Sequence, residues 1–327
     1  MQPAFSVIFL TTLIGLGQGL FLALFSSQTY SVVDVLPVQE GRYYALGGGI
    51  ALVFLVGGLI ASFFHLGHPE RAWRAAAMWR TSWLSREVIA LPLVMGLIFA
   101  YSAVNALGWD ADLYDLDIAG QLPLSIGVLG VLATLYLFMC TGMIYACIKF
   151  LQEWATPMTP FNYFLLGTAS GFTFASVYAA LAAPALISFY AGWAMTLTMA
   201  GFASRVYTLI RNAKLKPKST VQTAIGVRHN AVQQRAMGMM GGSYNTREYF
   251  HGKTLVFMKS VKWVFLTMTF AVPLALLWLG IDTCNETESL ILLSSAFAAQ
   301  YIGLLFERWF FFAQANHPQN LYYQVVG

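Results

Sequence analysis

Charge is what this chain has least of. Only 10% of its 327 residues are Asp, Glu, Lys or Arg, where soluble domains carry about a quarter. Together with 58% hydrophobic residues and a mean hydropathy of +0.64, this excludes a soluble globular domain, and lipid is the solvent for most of the chain. A net charge of +4 is too small for a nucleic-acid binder. Cysteine is scarce as well. The three cysteines are Cys140, Cys147 and Cys284, with no CxxC pair and no Cys/His cluster, so no zinc or iron-sulfur site of the chain's own is expected. None of the five histidines, His65, His68, His229, His251 and His317, falls in the middle of an apolar run. Paired axial ligands for a haem are therefore not expected. The first apolar segment starts at Pro3 with neither a basic leader nor a small-residue cleavage site, which predicts a retained helix rather than a signal peptide.

What the chain does have is long apolar stretches, each near the roughly 20 residues that cross a bilayer as a helix. They predict spans over 4-25, 44-64, 87-107, 122-148, 161-183, 185-209, 261-281 and 289-312. The fold class is then an all-α membrane bundle of eight transmembrane helices in a single domain. Thr156-Pro157 and Thr159-Pro160 mark the start of the fifth. Small residues gather in the first, second and fifth helices, notably at Gly15, Gly17, Gly19, Gly47, Gly48, Gly167 and Gly171, and predict close backbone approach there. Eight crossings put both termini on one face, side A, with the loops near 65-86, 149-160 and 210-260. Counting helix ends, side A holds seventeen of the eighteen Lys and Arg residues, all but Arg42, whereas side B holds nine of the fourteen acids. Because basic residues are retained on the cytoplasmic side, side A and both termini are expected to be cytoplasmic.

Two loops carry chemistry-bearing residues. The first runs from His65-Leu66-Gly67-His68-Pro69-Glu70-Arg71-Ala72-Trp73-Arg74 to Ser82-Trp83-Leu84-Ser85-Arg86-Glu87, with Pro69 placed to open a short interfacial helix. Histidine and arginine at the membrane boundary suit two purposes. They anchor a helix end against lipid phosphates, which composition alone favours, or they donate hydrogen bonds to a quinone head group, with histidine exchanging its protons. Glu87 is open between a proton relay and a partner of the helix dipole or of a nearby arginine, and Glu307 and Arg308 share that ambiguity. The second loop, 210-260, is basic at Lys214 to Lys218 and later rich in Gly, Tyr and Arg. Arg228, Tyr244, Arg247, Tyr249, Phe250 and His251 are the residue types enriched at interfaces, so a docked cytoplasmic partner is expected there.

On these residues the chain resembles the membrane anchor subunits of the DMSO reductase family of iron-sulfur molybdoenzymes. The matching segments are Gly17-Gln18, His65-Leu66-Gly67 with Pro69, Arg71 and Ala72, the run from Ser82 to Glu87, and Thr156-Pro157-Met158 with Phe161. The resemblance implies a multi-pass protein of the bacterial cytoplasmic membrane that holds no haem and binds a quinone, menaquinone or ubiquinone. The molybdopterin and the iron-sulfur clusters then belong to two partner subunits. Carried over by position, His65 is the leading quinone ligand, Gly67 and Arg71 shape its pocket, and Trp73, Arg86 and Glu87 are added by proximity. The chain departs from the DMSO reductase anchor in its longer 210-260 loop and in having the acid and arginine of the last helix adjacent. In that loop, and in a motif histidine on the cytoplasmic rather than the periplasmic side, it is more similar to the anchors of cytoplasmic membrane-bound sulfite dehydrogenase complexes. The expected function is therefore transfer of electrons from cytoplasmic sulfite oxidation to the quinone pool, with no sulfur chemistry in this chain. The alternatives are a DMSO-type reductase anchor that oxidises quinol and, from another class, a transporter or channel, which should carry ionisable residues or broken helices near the bilayer midplane.

Overall fold

The computed structural model of the protein describes residues 2-110, 120-216, 220, 222-223, 226-227, 229 and 252-317. Among the described residues, eight helices are long and apolar enough to cross a membrane: α1 (Phe5–Val32), α2 (Gly41–Phe63), α3 (Trp83–Leu107), α4 (Gln121–Ala146), α5 (Met158–Ala182), α6 (Ile187–Ala213), α7 (Leu255–Asp282) and α8 (Glu286–Ala313). A 3-10 helix, Pro69–Met78, joins α2 to α3, and a 3-10 turn, Pro184–Leu186, joins α5 to α6. The expected docking residues Arg228, Tyr244, Arg247, Tyr249, Phe250 and His251 lie outside the described residues.

All eight predicted spans are present, and most of their ends shift outward for identifiable reasons. The first was expected to stop at 25, yet α1 continues to Val32 through Ser26, Ser27, Thr29 and Ser31. Each of those hydroxyls donates to a carbonyl three or four residues back, at 2.7–2.9 Å, so the run satisfies itself inside the helix. Ser82 caps α3 by accepting from the Ser85 amide, Thr254 caps α7 by accepting from Phe257, and Asn285 caps α8 by accepting from Thr287 and Glu288. These caps place the starts several residues upstream of the purely apolar windows. Within α7, residues Thr267–Ala271 form a π turn. It stands just before Pro273, whose ring would otherwise meet the carbonyl of the preceding turn.

α1 and α5 are the most buried helices, with 72% of each span enclosed against 28–39% for the other six. They form the axis around which the rest pack, and their contact is made by backbone. A Cβ on Gly19 would lie 2.3 Å from the Gly167 carbonyl oxygen, and one on Gly171 would lie 2.0 Å from the Gly19 carbonyl carbon. Small residues are what let membrane helices approach in this way. α2 packs on α1, α3 on α2 and α4, α6 on α5, and α8 closes against α7, α5 and α1. Outward-facing Val53, Phe99, Leu132, Trp278 and Ile291 stay exposed, as a lipid-facing belt requires.

The two ends of the bundle differ. At one, Ile8 of α1 meets Trp154, Tyr163 of α5 and Phe311 and Phe312 of α8, so the first helix begins where the last one ends. This is side A. At the other end, Tyr190 and Ser27 hydroxyls lie 2.6 Å apart, and Gln28 donates to Asn105 at 3.1 Å.

The axis makes a direct prediction. Gly171→Ala should cost about 3 kcal/mol or more, because the added carbon meets backbone rather than a side chain that can turn away. Gly96→Ala, where a Cβ would meet no atom within 4 Å, should be neutral. Unfolding of the two variants in mild detergent measures the difference, and equal stabilities would refute a backbone-tight α1–α5 crossing.

Candidate functional site

His65 lies just beyond α2, where the chain leaves the helix through weak turn bonds, His65 N to Ser62 O at 3.3 Å among them. Although its side chain reaches the surface, desolvation against the end of α2 holds its imidazole below the ordinary histidine range. The neutral ring, with one nitrogen donating and the other accepting, is therefore its form at neutral pH. The residues that follow are surface residues. A Cβ on Gly67 would meet nothing within 4 Å. His68 Nδ1 stands 3.0 Å and Arg71 Nε 3.6 Å from the same Glu70 oxygen, an exposed arrangement of small energetic weight. Trp73 is 71% exposed, in keeping with a residue that rests in the membrane interface.

Arg86 and Glu87 begin α3 and point to different tasks. Arg86 donates from Nε to the Trp79 carbonyl at 3.0 Å and from Nη2 to the Arg80 carbonyl at 2.9 Å, and its guanidinium sits 4.3 Å above the Trp83 ring. It clasps the end of the 3-10 helix to the start of α3 by satisfying carbonyls that would otherwise be open. Glu87 is half-buried and turns inward, its carboxylate accepting a short hydrogen bond from the Thr141 hydroxyl of α4. The six sequence-predicted residues thus separate into an exposed surface group of His65, Gly67, Arg71 and Trp73, a clasp at Arg86, and an interior carboxyl at Glu87.

Behind Glu87 lies a polar interior that the sequence reading did not assemble. Thr141 also lines a cavity of about 10 Å3 whose wall includes Thr11, Gln18, Tyr163, Ser170 and Arg308, room for about one water molecule. Arg308 stacks 3.6 Å over the Tyr163 ring and reaches within 3.4 Å of the Glu307 carboxylate. Glu307 Oε1 is in turn 2.7 Å from Arg205 Nε of α6, both side chains being 1% exposed. Glu307 and Arg308 are therefore not the interfacial anchors that one reading of the sequence allowed. They stand five and six residues before the end of α8, about 8–9 Å into the bundle at 1.5 Å per residue. The signal was available: Thr11 and Gln18 fall seven apart in an apolar helix, and Ser204, Arg205 and Thr208 share one side of α6 through i, i+3 and i+4 spacing.

A buried ion pair is costly to break and cheap to replace whole. Arg205→Met alone should destabilise the protein by roughly 3–5 kcal/mol, because Glu307 loses its nearest counter-charge. Adding Glu307→Leu should recover most of that loss. A double-mutant cycle followed by thermal unfolding in detergent tests this coupling, and additive losses would contradict it.

Comparison with known proteins agrees with this geometry along the whole chain. The family model described as DMSO reductase anchor subunit (DmsC) matches residues 1–323. The chain is also 54% identical over 329 residues, covering 100% of both chains, to the C subunit of the sulfite dehydrogenase of Allochromatium vinosum. Eight apolar helices, the exposed His65 segment at one end and a match that leaves only the last few residues uncovered lead to one assignment: the chain belongs to the family of DMSO reductase anchor subunits.

Proposed function

We propose that this chain is the quinone-binding anchor of a sulfite-oxidising complex and that it passes electrons from the cytoplasm to the quinone pool. The observation that carries the reading is the end-to-end similarity to the C subunit of a sulfite dehydrogenase. As an anchor subunit it serves catalytic and electron-transfer partners. On this reading these are a molybdopterin subunit that converts sulfite and water to sulfate, two protons and two electrons, and an iron-sulfur subunit that brings those electrons to side A. The charge asymmetry of the loops supports a cytoplasmic side A.

The chain's own residues supply what quinone reduction needs. His65, neutral and at the membrane boundary, donates a hydrogen bond to one quinone carbonyl. Gly67, with open space where a side chain would stand, lets a flat ring approach the backbone. Arg71 contributes positive charge as the ring takes up two electrons, and Trp73 gives the isoprenoid-bearing ring an aromatic edge in the interface. Arg86 holds the two halves of this segment together, and Glu87, on the neighbouring helix end, provides a carboxyl that hands protons to the ring. Two electrons and two protons convert the quinone to quinol.

The family match also favours a second reading, an anchor that oxidises quinol for a sulfoxide reductase. Purified complex assayed with sulfite plus quinone and with sulfoxide plus quinol separates the two, and turnover confined to the second pair would overturn the sulfite reading. Within the first, His65→Ala should lower sulfite-driven quinone reduction by about 100-fold or more, the scale of a lost general acid-base group. Sulfite oxidation with ferricyanide should be unaffected. Unchanged quinone reduction in His65→Ala would remove His65 from the site.

A further inference from the structure

We infer that Lys259 and Lys262 of α7 bind the headgroup of an anionic phospholipid in the side A leaflet, with the lipid's chains lying along the seam between α6 and α7. The site is separate from the His65 segment and does not depend on the quinone reading.

The seam is closed over only part of its length. Phe202 of α6 meets Phe270, in the π turn of α7, with ring centroids 5.3 Å apart. Nearer side A, the Arg205 guanidinium lies 5.6 Å from the centre of the Phe265 ring. From there to its start α7 packs on α8 instead, Phe265 on Phe310 at 5.3 Å and Phe257 on Trp309 at 5.5 Å. The flank of α7 turned toward α6 is therefore left open at this end, and Ile210 of α6 is 52% exposed beside it.

Both lysines sit on that flank. Going back from Phe265 in steps of three residues turns the face by about 60° each time, from the bundle interior toward lipid. Burial follows the turn: Phe265 is enclosed, Lys262 is half-buried and Lys259 is exposed. Because α6 and α7 run antiparallel, the Arg205–Phe265 contact brings Lys262 level with Thr208 and Lys259 level with Arg211, in the last turn of α6. The two ammonium groups are thus carried about 4.5 Å apart along the axis, where a spanning helix meets the phosphates. Trp263 marks the same level. It is exposed, with Lys262 Nζ 5.6 Å from its ring centre, and lipid-facing tryptophans settle at the headgroup interface.

Charge then selects the kind of lipid. Among the described residues neither lysine has an ion-pair partner, and no acid occurs in α6 or in Leu255–Leu266. Arg211 is committed elsewhere, donating to the Gln152 carbonyl at 3.1 Å and to the Asn212 side chain at 2.8 Å. Two uncompensated positive charges at a membrane surface attract a headgroup of net negative charge, whereas a zwitterionic headgroup brings a cation of its own. The lysine stems can lie along the helix and lift their ammonium groups to the phosphate. Deeper in the leaflet, Ile210, Leu266 and Phe202 supply an apolar wall for acyl chains, and the Phe202–Phe270 contact closes the seam beneath them. A water-soluble phosphate would gain nothing from that wall.

The test uses the intact complex in nanodiscs of phosphatidylcholine, titrated with chain-labelled phosphatidylglycerol and read by native mass spectrometry. Lys259→Gln and Lys262→Gln should each weaken phosphatidylglycerol binding about fivefold, the scale of one lysine at an anionic surface, and the double variant roughly 25-fold. Ile210→Trp, which keeps both charges and narrows the seam, should weaken it as well. Lys149→Gln, which removes an exposed charge elsewhere on side A, should leave it unchanged, and free glycerol phosphate should not displace the lipid. Equal weakening in Lys149→Gln would reduce the effect to general surface charge and overturn the site. Displacement by glycerol phosphate would make it a site for a soluble anion. Unchanged lipid binding in the two lysine variants, with or without loss of a partner subunit, would also overturn it, and loss of the subunit would mark this face as a protein dock. Should the double variant fail to assemble, the single variants decide.

Discussion

A carbon added to Gly171 would lie 2.0 Å from the carbonyl carbon of Gly19, so α1 and α5 touch backbone to backbone, and the rest of the bundle is placed by that contact. It brings Thr11 and Gln18 of α1 into one cavity wall with Tyr163 and Ser170 of α5. α4 and α8 then bring in Thr141 and Arg308, and α6, packed on the far side of α5, brings Arg205 to Glu307. Bulkier residues at the crossing would hold the two axial helices apart and dismantle this polar interior along with the fold. In lipid there is little hydrophobic force between helices to compensate, so close packing has to supply the adhesion.

The buried charges are the other notable commitment. Placing a guanidinium and a carboxylate at 1% exposure costs several kcal/mol of desolvation per ion, and their mutual attraction only offsets that cost when geometry is good. Here Arg205 Nε stands 2.7 Å from one Glu307 oxygen and Arg308 Nη1 3.4 Å from the other. Of the two neighbours, Arg308 and not Glu307 lines the water-sized cavity, so the ion pair and the cavity meet through the Arg308 side chain.

How much of this was legible in the sequence depended on what kind of signal carried it. The eight helices were, because an uncharged apolar run of about 20 residues matches the thickness of a bilayer and is too long for an ordinary buried strand. Their ends were not: the first span was set at 25, whereas the Ser26, Ser27, Thr29 and Ser31 hydroxyls bond within α1 and the helix runs on to Val32. The His65 segment was found by its motif, but the motif gave no depth, and only the fold separates exposed Arg71 and Trp73 from inward-turned Glu87. Glu307 and Arg308 were read only as a pair near the end of one helix, and Arg205 was not singled out. Their meaning lies in a contact between α6 and α8, elements about a hundred residues apart, and single-helix periodicity does not encode such a pairing. Gln18 was quoted for its motif rather than for its place in the cavity wall.

The proposed function stands or falls on sidedness, because on that reading the electrons of a cytoplasmic enzyme enter at side A. Two native thiols report it without any substitution: Cys147 is exposed at the end of α4 on side A, and Cys284 is exposed in the α7–α8 turn on side B. A membrane-impermeant maleimide, with the labelled peptides identified by mass, should modify Cys284 and spare Cys147 in right-side-out spheroplasts. In inverted vesicles stripped of peripheral subunits it should modify Cys147 and spare Cys284. The opposite pattern, Cys147 labelled from outside and Cys284 protected, would put the His65 segment in the periplasm and contradict a cytoplasmic sulfite-oxidising partner.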